Sequence, residues 1–245
     1  MNLRKTIFLT LSLYVATSCN ISSIGDKSGK VSFSVENDIY VTEITKGAVS
    51  FYTALPAPGD FMLKVTDGDG VSIYEGLLSE WDSSTKIPAG AYEAAVSYGT
   101  EGEEGFDKPF FTGSSSFTVT GGETTNVSVP AALTNSIVKV TRSNAFTNYF
   151  VSSDFVVTTG NGNEIAFPIS ENRGAFVDAY KITVSGNVTS QGGSTKSFSK
   201  EYSGLEPATC YELAFDVEGI GGATITISFN DTVESVELED IELND

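Results

Sequence analysis

The chain contains no histidine, and this absence excludes several chemistries at once. A His-based catalytic triad, an imidazole metal ligand and a histidine pH switch each need a side chain that the sequence does not have. Cysteine is almost as scarce, because Cys19 and Cys210 are the only two. If Cys19 is used for attachment to a membrane, no disulfide can form within the chain. The fold must then be held by its hydrophobic core.

Basic residues and long apolar runs are also in short supply. Lys and Arg number 14 against 32 Asp and Glu, which gives a formal net charge of −18. Nucleic-acid binding needs basic patches, so we expect no nucleic-acid partner. The longest largely apolar run, Thr6–Ala16, has 11 residues. A membrane-spanning helix needs roughly 20, so this run predicts the apolar part of an export signal instead.

The residues around this run predict where the chain is attached. Arg4 and Lys5 precede it, and the small residues 16–18 followed by Cys19 come after it. This order resembles the lipobox of bacterial lipoproteins. The resemblance implies a signal peptide over residues 1–18 and acylation of Cys19, with an ordinary signal peptide and a chance cysteine as the alternative. Acyl chains contribute about 0.8 kcal/mol per buried CH2, so a multiply acylated Cys19 would anchor the chain stably in a membrane.

Beyond the signal the dominant hydrophobic period is two, which is typical of strands with one face in a core. Val31, Phe33 and Val35 alternate with serines, and Ile225, Ile227 and Phe229 alternate in the same way near the other end. Gly-, Asn- and Asp-rich turns separate about fifteen such segments. The pattern predicts an all-β fold of two tandem Ig-like or transthyretin-like antiparallel β-sandwich domains.

A short internal repeat supports two domains. The turn at residues 88–92, Pro-Ala-Gly-Ala-Tyr, matches residues 207–211, Pro-Ala-Thr-Cys-Tyr. Each turn leads into a strand that begins with Tyr92 or Tyr211, and this resembles the tyrosine corner of Ig-like sandwiches. We therefore predict a flexible tether over residues 19–30, a first domain over 31–132 and a second over 133–245. The alternation after Tyr211 places Cys210 on the outward face of its strand, partly exposed.

Further stretches resemble a known family. The segment Phe106–Gly113, Phe-Asp-Lys-Pro-Phe-Phe-Thr-Gly, lies between the first tyrosine turn and the sequence Leu133–Val138. This order, with the lipobox, resembles a Bacteroidetes lipoprotein family of unknown function, itself similar to fimbrillin-like and cell-adhesion lipoproteins. The resemblance implies two β-sandwiches, an outer-membrane lipid anchor and no catalytic residue, cofactor or metal. Polymerising fimbrillins are activated by Arg-specific cleavage of their first strand. Here the arginines are Arg4, Arg142 and Arg173, none of them in the expected place.

Several residues are candidates for a functional role, and each of them also has a purely structural interpretation. Trp81, Phe110 and Phe111 could form an aromatic platform for a ligand, or pack in the core. Thr232, in Asp-Thr-Val, matches a short O-glycosylation sequon. The acidic loop at 101–104 could supply glycosidase carboxylates or bind a cation, or be a solvated loop. Residues 67–70, Asp-Gly-Asp-Gly, predict a hairpin turn rather than a calcium loop.

These observations favour a non-enzymatic, envelope-anchored lipoprotein with an adhesion or fimbria-like assembly role. A glycan-binding accessory lipoprotein in nutrient capture is the alternative, and an acid-catalysed glycosidase is a third hypothesis. The expected partners are the membrane, through the lipid, and other envelope proteins or glycans. The sequence leaves open whether the domains face the cell surface or the periplasm.

Overall fold

The computed structural model describes residues 27–36, 40–41, 47–48, 55–218, 224–229 and 232–237, with side chains at 27–36, 55–217 and Ile227. Strands dominate, and the all-β prediction is confirmed. The first half of the chain contains the strands β1 (Ser28–Glu36), β2 (Tyr40–Val41), β3 (Gly47–Ala48), β4 (Met62–Asp67), β5 (Ser72–Leu77), β6 (Lys86–Pro88), β7 (Gly90–Tyr98), β8 (Gly105–Phe106), β9 (Phe111–Val119), β10 (Thr124–Pro130) and β11 (Ala132–Leu133).

The described residues of the second half form nine strands and one short helix. They are β12 (Asn135–Arg142), α1 (Asn144–Tyr149), β13 (Phe150–Thr159), β14 (Glu164–Phe167), β15 (Ala175–Asp178), β16 (Lys181–Ser190), β17 (Thr195–Ser203), β18 (Cys210–Glu218), β19 (Thr224–Phe229) and β20 (Thr232–Glu237). The helix α1 begins where the Ser143 hydroxyl accepts a hydrogen bond from the backbone N–H of Phe146. Phe146 is fully buried, so this short helix is held by packing as well as by its cap.

The described strands form two sandwiches, each of two facing sheets, and β2 pairs with β3 in a two-stranded sheet. In the first sandwich a three-stranded sheet of order β10–β1–β6 faces a five-stranded sheet of order β11–β9–β7–β4–β5. In the second sandwich a six-stranded sheet of order β20–β19–β18–β12–β15–β8, whose edge strand β8 comes from the first half of the chain, faces a four-stranded sheet of order β14–β13–β16–β17. A separate hydrophobic core fills each sandwich. The β1 strand begins at Ser28, so the predicted tether ends earlier than residue 30.

Two strand pairs are parallel, while the other pairs of described strands are antiparallel. The first strand of the first sandwich, β1, lies parallel to β10 from Lys30↔Thr124 to Glu36↔Pro130. The first strand of the second sandwich, β12, lies parallel to β18 from Ile137↔Cys210 to Arg142↔Phe215. In each sandwich the strand that enters is therefore paired directly with a strand from much later in the chain.

Both predicted tyrosine corners are present. The Tyr92 hydroxyl donates to the backbone oxygen of Pro88 at 2.8 Å. The Tyr211 hydroxyl accepts from the backbone N–H of Glu206, also at 2.8 Å. Each ring is buried at the start of its strand, so the hydroxyl fixes the preceding turn from inside the sandwich.

The two sandwiches share a packed junction. Ile137 is paired with Phe176 on one side and with Cys210 on the other, which forms a row across the six-stranded sheet. All three side chains are buried against the core of the first sandwich. The neighbouring row, Ala175, Val138 and Tyr211, points into the core of the second. The central part of this sheet is therefore apolar on both faces.

Candidate functional site

Trp81 lies in a cluster of partly buried aromatic rings beside β1. Its indole Nε1 donates to the backbone oxygen of Val31 at 2.9 Å. Its ring meets Phe33 and Tyr74 edge to face, with ring centroids 5.1 and 4.9 Å apart. Since both the indole N–H and the ring edges have partners within the fold, Trp81 holds the loop before β6 against β1.

The two neighbouring phenylalanines of the predicted platform have different surroundings. Phe111 is fully buried and packs near Phe61 and Tyr98, so its ring presents no surface to a ligand. Phe110 is partly exposed. It forms one wall of a groove on the outer face of the five-stranded sheet. Phe110, one of the predicted platform residues, is therefore placed at an open groove.

This Phe110 groove has a volume of about 570 Å³. Its floor is made of the small side chains Ala95, Ser97, Thr112 and Ser114. Met62, with 42% of its surface exposed, and Phe110 supply apolar walls. The floor is small because outward positions of β7 and β9 carry Ala, Ser and Thr, while the alternate positions Ala94 and Val96 fill the core.

Charged groups at the rim of this groove remain in water. The Lys64 ammonium lies 3.3 Å from a Glu75 carboxylate oxygen, and the two side chains are 51% and 60% exposed. Glu101 lies at another edge. The rim of the groove is therefore polar and open to solvent.

The rest of the acidic loop joins the two sandwiches, a role that the sequence analysis missed. One Glu104 carboxylate oxygen accepts from Thr159 Oγ1 and from Asn163 Nδ2, both at 2.6 Å. The other accepts from the backbone N–H of Asp178 at 2.8 Å. Glu103 forms a surface ion pair with Lys108. Hydrophobic periodicity gives no signal for such contacts, because it predicts strands and helices and not which strand a polar loop will reach.

The same loop inserts Phe106 into the second sandwich. β8 pairs with β15, and the Phe106 ring meets Phe167 edge to face at 5.1 Å. The Arg173 guanidinium lies 4.7 Å from the centre of the Phe106 ring and also pairs with Asp107. Hydrogen bonds from Arg173 hold the pKa of Glu171 well below its usual value, at about 2. A cation therefore covers the exposed side of the inserted ring.

The remaining predicted residues have three different outcomes. The Asp67 carboxylate accepts from the backbone N–H groups of Asp69 and Val71, so residues 67–70 form the hairpin turn between β4 and β5, as predicted. Cys19 and the side chain of Thr232 lie outside the described residues, and both remain predictions. Cys210 is 8% exposed, and the prediction of partial exposure is wrong: its outward face contacts the first sandwich.

Within the described part of the chain, no group of three or more acidic or cysteine side chains is arranged to hold a metal ion. Within the same residues, no helix is both long enough and apolar enough to cross a membrane.

Comparison with known protein families shows which family the chain belongs to. Residues 27–245 match the model of a family described as a domain of unknown function, DUF4493. The chain belongs to this family. The predicted resemblance to a family of unknown function is thereby confirmed. No curated protein matches this DUF4493 chain.

Several solved structures are similar to this DUF4493 chain at low identity. A candidate polysaccharide-binding protein (DUF1812) of Bacteroides thetaiotaomicron is 11% identical, covers 86% of this chain and 99% of its own, and has a TM-score of 0.45. A candidate cell adhesion protein of Bacteroides fragilis is 11% identical, with coverages of 87% and 100% and a TM-score of 0.41. The fimbrial anchor protein Mfa2 of Porphyromonas gingivalis is 10% identical, with coverages of 84% and 98% and a TM-score of 0.34. At this distance the functions in those names belong to those proteins.

Proposed function

We propose that this DUF4493 chain is a non-enzymatic lipoprotein, anchored to the outer membrane through Cys19, that acts in adhesion or in the assembly of a surface fibre. The observation that carries the proposal is the position of β1. This strand follows shortly after Cys19 and is the central strand of its sheet, between β10 and β6. A lipid on Cys19 would therefore be connected directly to the interior of a folded sandwich.

The position of β1 also favours one role within a fibre. The fimbrillins that the sequence resembles lose their first strand by Arg-specific cleavage before they polymerise. No arginine lies between Cys19 and the end of the first sandwich. Val31 and Val35 of β1 are buried in the core, so the strand is an integral part of the domain. An anchor or accessory protein fits these properties better than a repeating subunit.

The test combines surface exposure with attachment. Intact and lysed cells are treated with protease, and the second sandwich is followed by immunoblot in the wild type, a Cys19→Ala variant and a Cys210→Ala control. We expect loss of the signal from intact wild-type and control cells, and release of the Cys19→Ala chain from the membrane fraction. Protection in intact cells would exclude a role at the outer surface. A deletion strain with normal fibres and attachment would exclude adhesion and fibre assembly.

A second function, glycan binding for nutrient capture, is favoured by the Phe110 groove. Its partly exposed aromatic wall and hydroxyl-lined floor are the kinds of groups that contact sugar rings. The test is a glycan array with the wild type, Phe110→Ala and the control Ile169→Ala, which removes an exposed apolar side chain of the second half of the chain. Binding that is lost only in Phe110→Ala would support this function, and an array without binding would reject it.

A further inference from the structure

The two parallel strand pairs have a mechanical consequence. Tension on an anchored protein enters at its membrane attachment, which here precedes β1. It leaves the first sandwich through β10 and the two-residue strand β11 that follows it, and the chain then continues into β12 of the second sandwich. Because β1 and β10 are parallel and directly paired, tension pulls these neighbouring strands lengthwise in opposite directions.

The direction of pull decides how a strand pair fails. When two strands are pulled apart from the same end of a ladder, the hydrogen bonds break one after another. When they are pulled lengthwise in opposite directions, all the bonds of the ladder are loaded together. A single net hydrogen bond contributes only about 0.5–1.5 kcal/mol, so sharing the force over a whole ladder raises the force at which it breaks. The β1–β10 ladder aligns every residue from Lys30 to Glu36 with a partner.

β1 is also held along its length by groups outside that ladder. At its start, the Lys27 oxygen accepts from Ala89 N–H and the Ser28 oxygen from Gly122 N–H, at 2.7 and 2.9 Å. In its middle, Val31 accepts the Trp81 indole N–H. At its end, the Ser128 hydroxyl donates to the Glu36 carboxylate at 2.8 Å. Sliding β1 toward the membrane would break these contacts together with the ladder.

The second sandwich repeats the arrangement. β12, which receives the chain from the first sandwich, lies parallel to β18 in the middle of the six-stranded sheet. β18 and β19 are antiparallel, as are β19 and β20, so β20 runs in the same direction as β12. Tension between the start of β12 and the end of β20 therefore also acts lengthwise across paired strands.

We infer that the fold carries tension between its two ends, with β1–β10 and β12–β18 loaded in shear. This function rests on the proposed anchoring and adhesion role, in which the chain links a membrane to a distant partner. It adds to that role a reason why two of the described strand pairs are parallel while the others are antiparallel. The sequence made Trp81 a candidate for a ligand platform. In the structure its indole N–H holds β1, the strand that follows Cys19, through the backbone oxygen of Val31.

Single-molecule force spectroscopy tests the inference. The chain from residue 19 onward, produced without lipid, is attached through the Cys19 thiol at one end and a C-terminal tag at the other. Cys210 is buried and does not compete for the surface. The comparison is a chain with Cys19→Ser, Ala57→Cys and Ser83→Cys, pulled between the exposed positions 57 and 83. These positions flank the antiparallel β4–β5 pair at the end where Met62 is paired with Leu77, so the pair is unzipped.

We expect unfolding between the chain ends to need about twofold more force than unfolding between positions 57 and 83. Pulling at the chain ends must break a whole ladder of hydrogen bonds at once, whereas pulling between positions 57 and 83 breaks the bonds of a strand pair one at a time. Trp81→Phe keeps a ring but removes the indole N–H, and it should lower the force of one of the two end-to-end unfolding events while leaving the other unchanged. Ser128→Ala, which breaks the bond to Glu36, should do the same if Trp81→Phe does not fold.

Equal forces in the two pulling directions would overturn the inference, as would end-to-end forces unaffected by both substitutions. These outcomes are separate from those of the adhesion test. If end-to-end unfolding needs the expected force but deletion of the gene leaves attachment unchanged, the shear geometry is supported and the proposed adhesion role is wrong. If the force is low but the protein is required for attachment, the adhesion role is supported and this inference is wrong.

Discussion

The backbone N–H of Phe110 donates a hydrogen bond to the side-chain oxygen of Asn135 at 2.6 Å, across the junction between the two sandwiches. Asn135 is 1% exposed, and its own backbone oxygen accepts from the N–H of Ala208. One buried amide therefore joins the loop that contains the groove residue Phe110 to the start of β12.

Asn135→Ala should destabilise the junction. The substitution leaves the Phe110 N–H without its acceptor in a largely buried place, which costs about 1–3 kcal/mol. Urea unfolding measures this loss, and Asn172→Ala, at an exposed position, is the matched control with little expected effect. An Asn135→Ala chain as stable as the wild type would show that the bond contributes nothing to the junction.

Removing either tyrosine-corner hydroxyl should weaken the fold. Tyr92→Phe deletes a donor to Pro88, and Tyr211→Phe deletes the acceptor for the Glu206 N–H. Each should lower the free energy of unfolding by about 0.5–1.5 kcal/mol, with Tyr211→Phe at the upper end if the Glu206 N–H stays unpaired. Tyr180→Phe is the control, because Tyr180 is 66% exposed. Chemical denaturation of the three variants distinguishes a corner hydroxyl from an ordinary surface one.

Gly113→Ala should disturb the place where β9 passes beneath the end of β10. A Cβ at this position would overlap the backbone oxygen of Pro130 and lie 2.8 Å from its carbonyl carbon. Backbone cannot move aside as a flexible side chain does, so we expect a loss of about 1–3 kcal/mol. Gly68→Ala is the control, since its Cβ would meet nothing nearer than the Ala91 oxygen at 3.5 Å. Thermal unfolding that is unchanged in Gly113→Ala would contradict the close approach.

The Glu171–Arg173 pair should give a pH-dependent contribution to stability. Hydrogen bonds from Arg173 lower the pKa of Glu171 from its ordinary 4.5 to about 2 in the folded chain. The folded state therefore favours the charged carboxylate, and the stabilisation is complete above the ordinary pKa and is lost as pH falls toward about 2. For a pair with an exposed Arg173 we expect at most about 1 kcal/mol.

The measurement compares wild type and Glu171→Gln by urea unfolding across this pH range. The difference in free energy of unfolding should be largest near neutral pH and shrink as the solution is acidified through the window between the two pKa values. Glu164→Gln, on the exposed start of β14, serves as the control. A difference that stays constant with pH would mean that Glu171 stabilises the fold through packing rather than through its charge.

The sequence predicted the features that alternation and turn chemistry determine. The strands that begin at Tyr92 and Tyr211 and the turn at residues 67–70 all follow from local patterns, and each is present. Two-residue strands escape such patterns, which is why the pairing of β8 with β15 was not foreseen. Alternation did assign Cys210 to the outward face correctly. It could not indicate that this face is covered by the other sandwich.

The same limit applies to the candidate site. Trp81, Phe110 and Phe111 all carry aromatic rings in loop-like or strand-edge positions, and composition does not separate them. The separation comes from tertiary packing: the indole meets Val31, one phenylalanine fills the core, and the other borders the groove. The contacts of Glu104 were not predictable for the same reason, since its three donors come from distant parts of the chain.

The apolar row of Phe176, Ile137 and Cys210 limits how the two sandwiches can be separated, in evolution or by protein engineering. A sandwich that is cut out at residue 133 would expose that row to solvent, and it would also lose β8 from its sheet edge. Such a fragment would be prone to self-association through its bare sheet. The two sandwiches are therefore not interchangeable modules: a gene rearrangement or a truncated expression product has to keep them together, or replace the row with polar side chains.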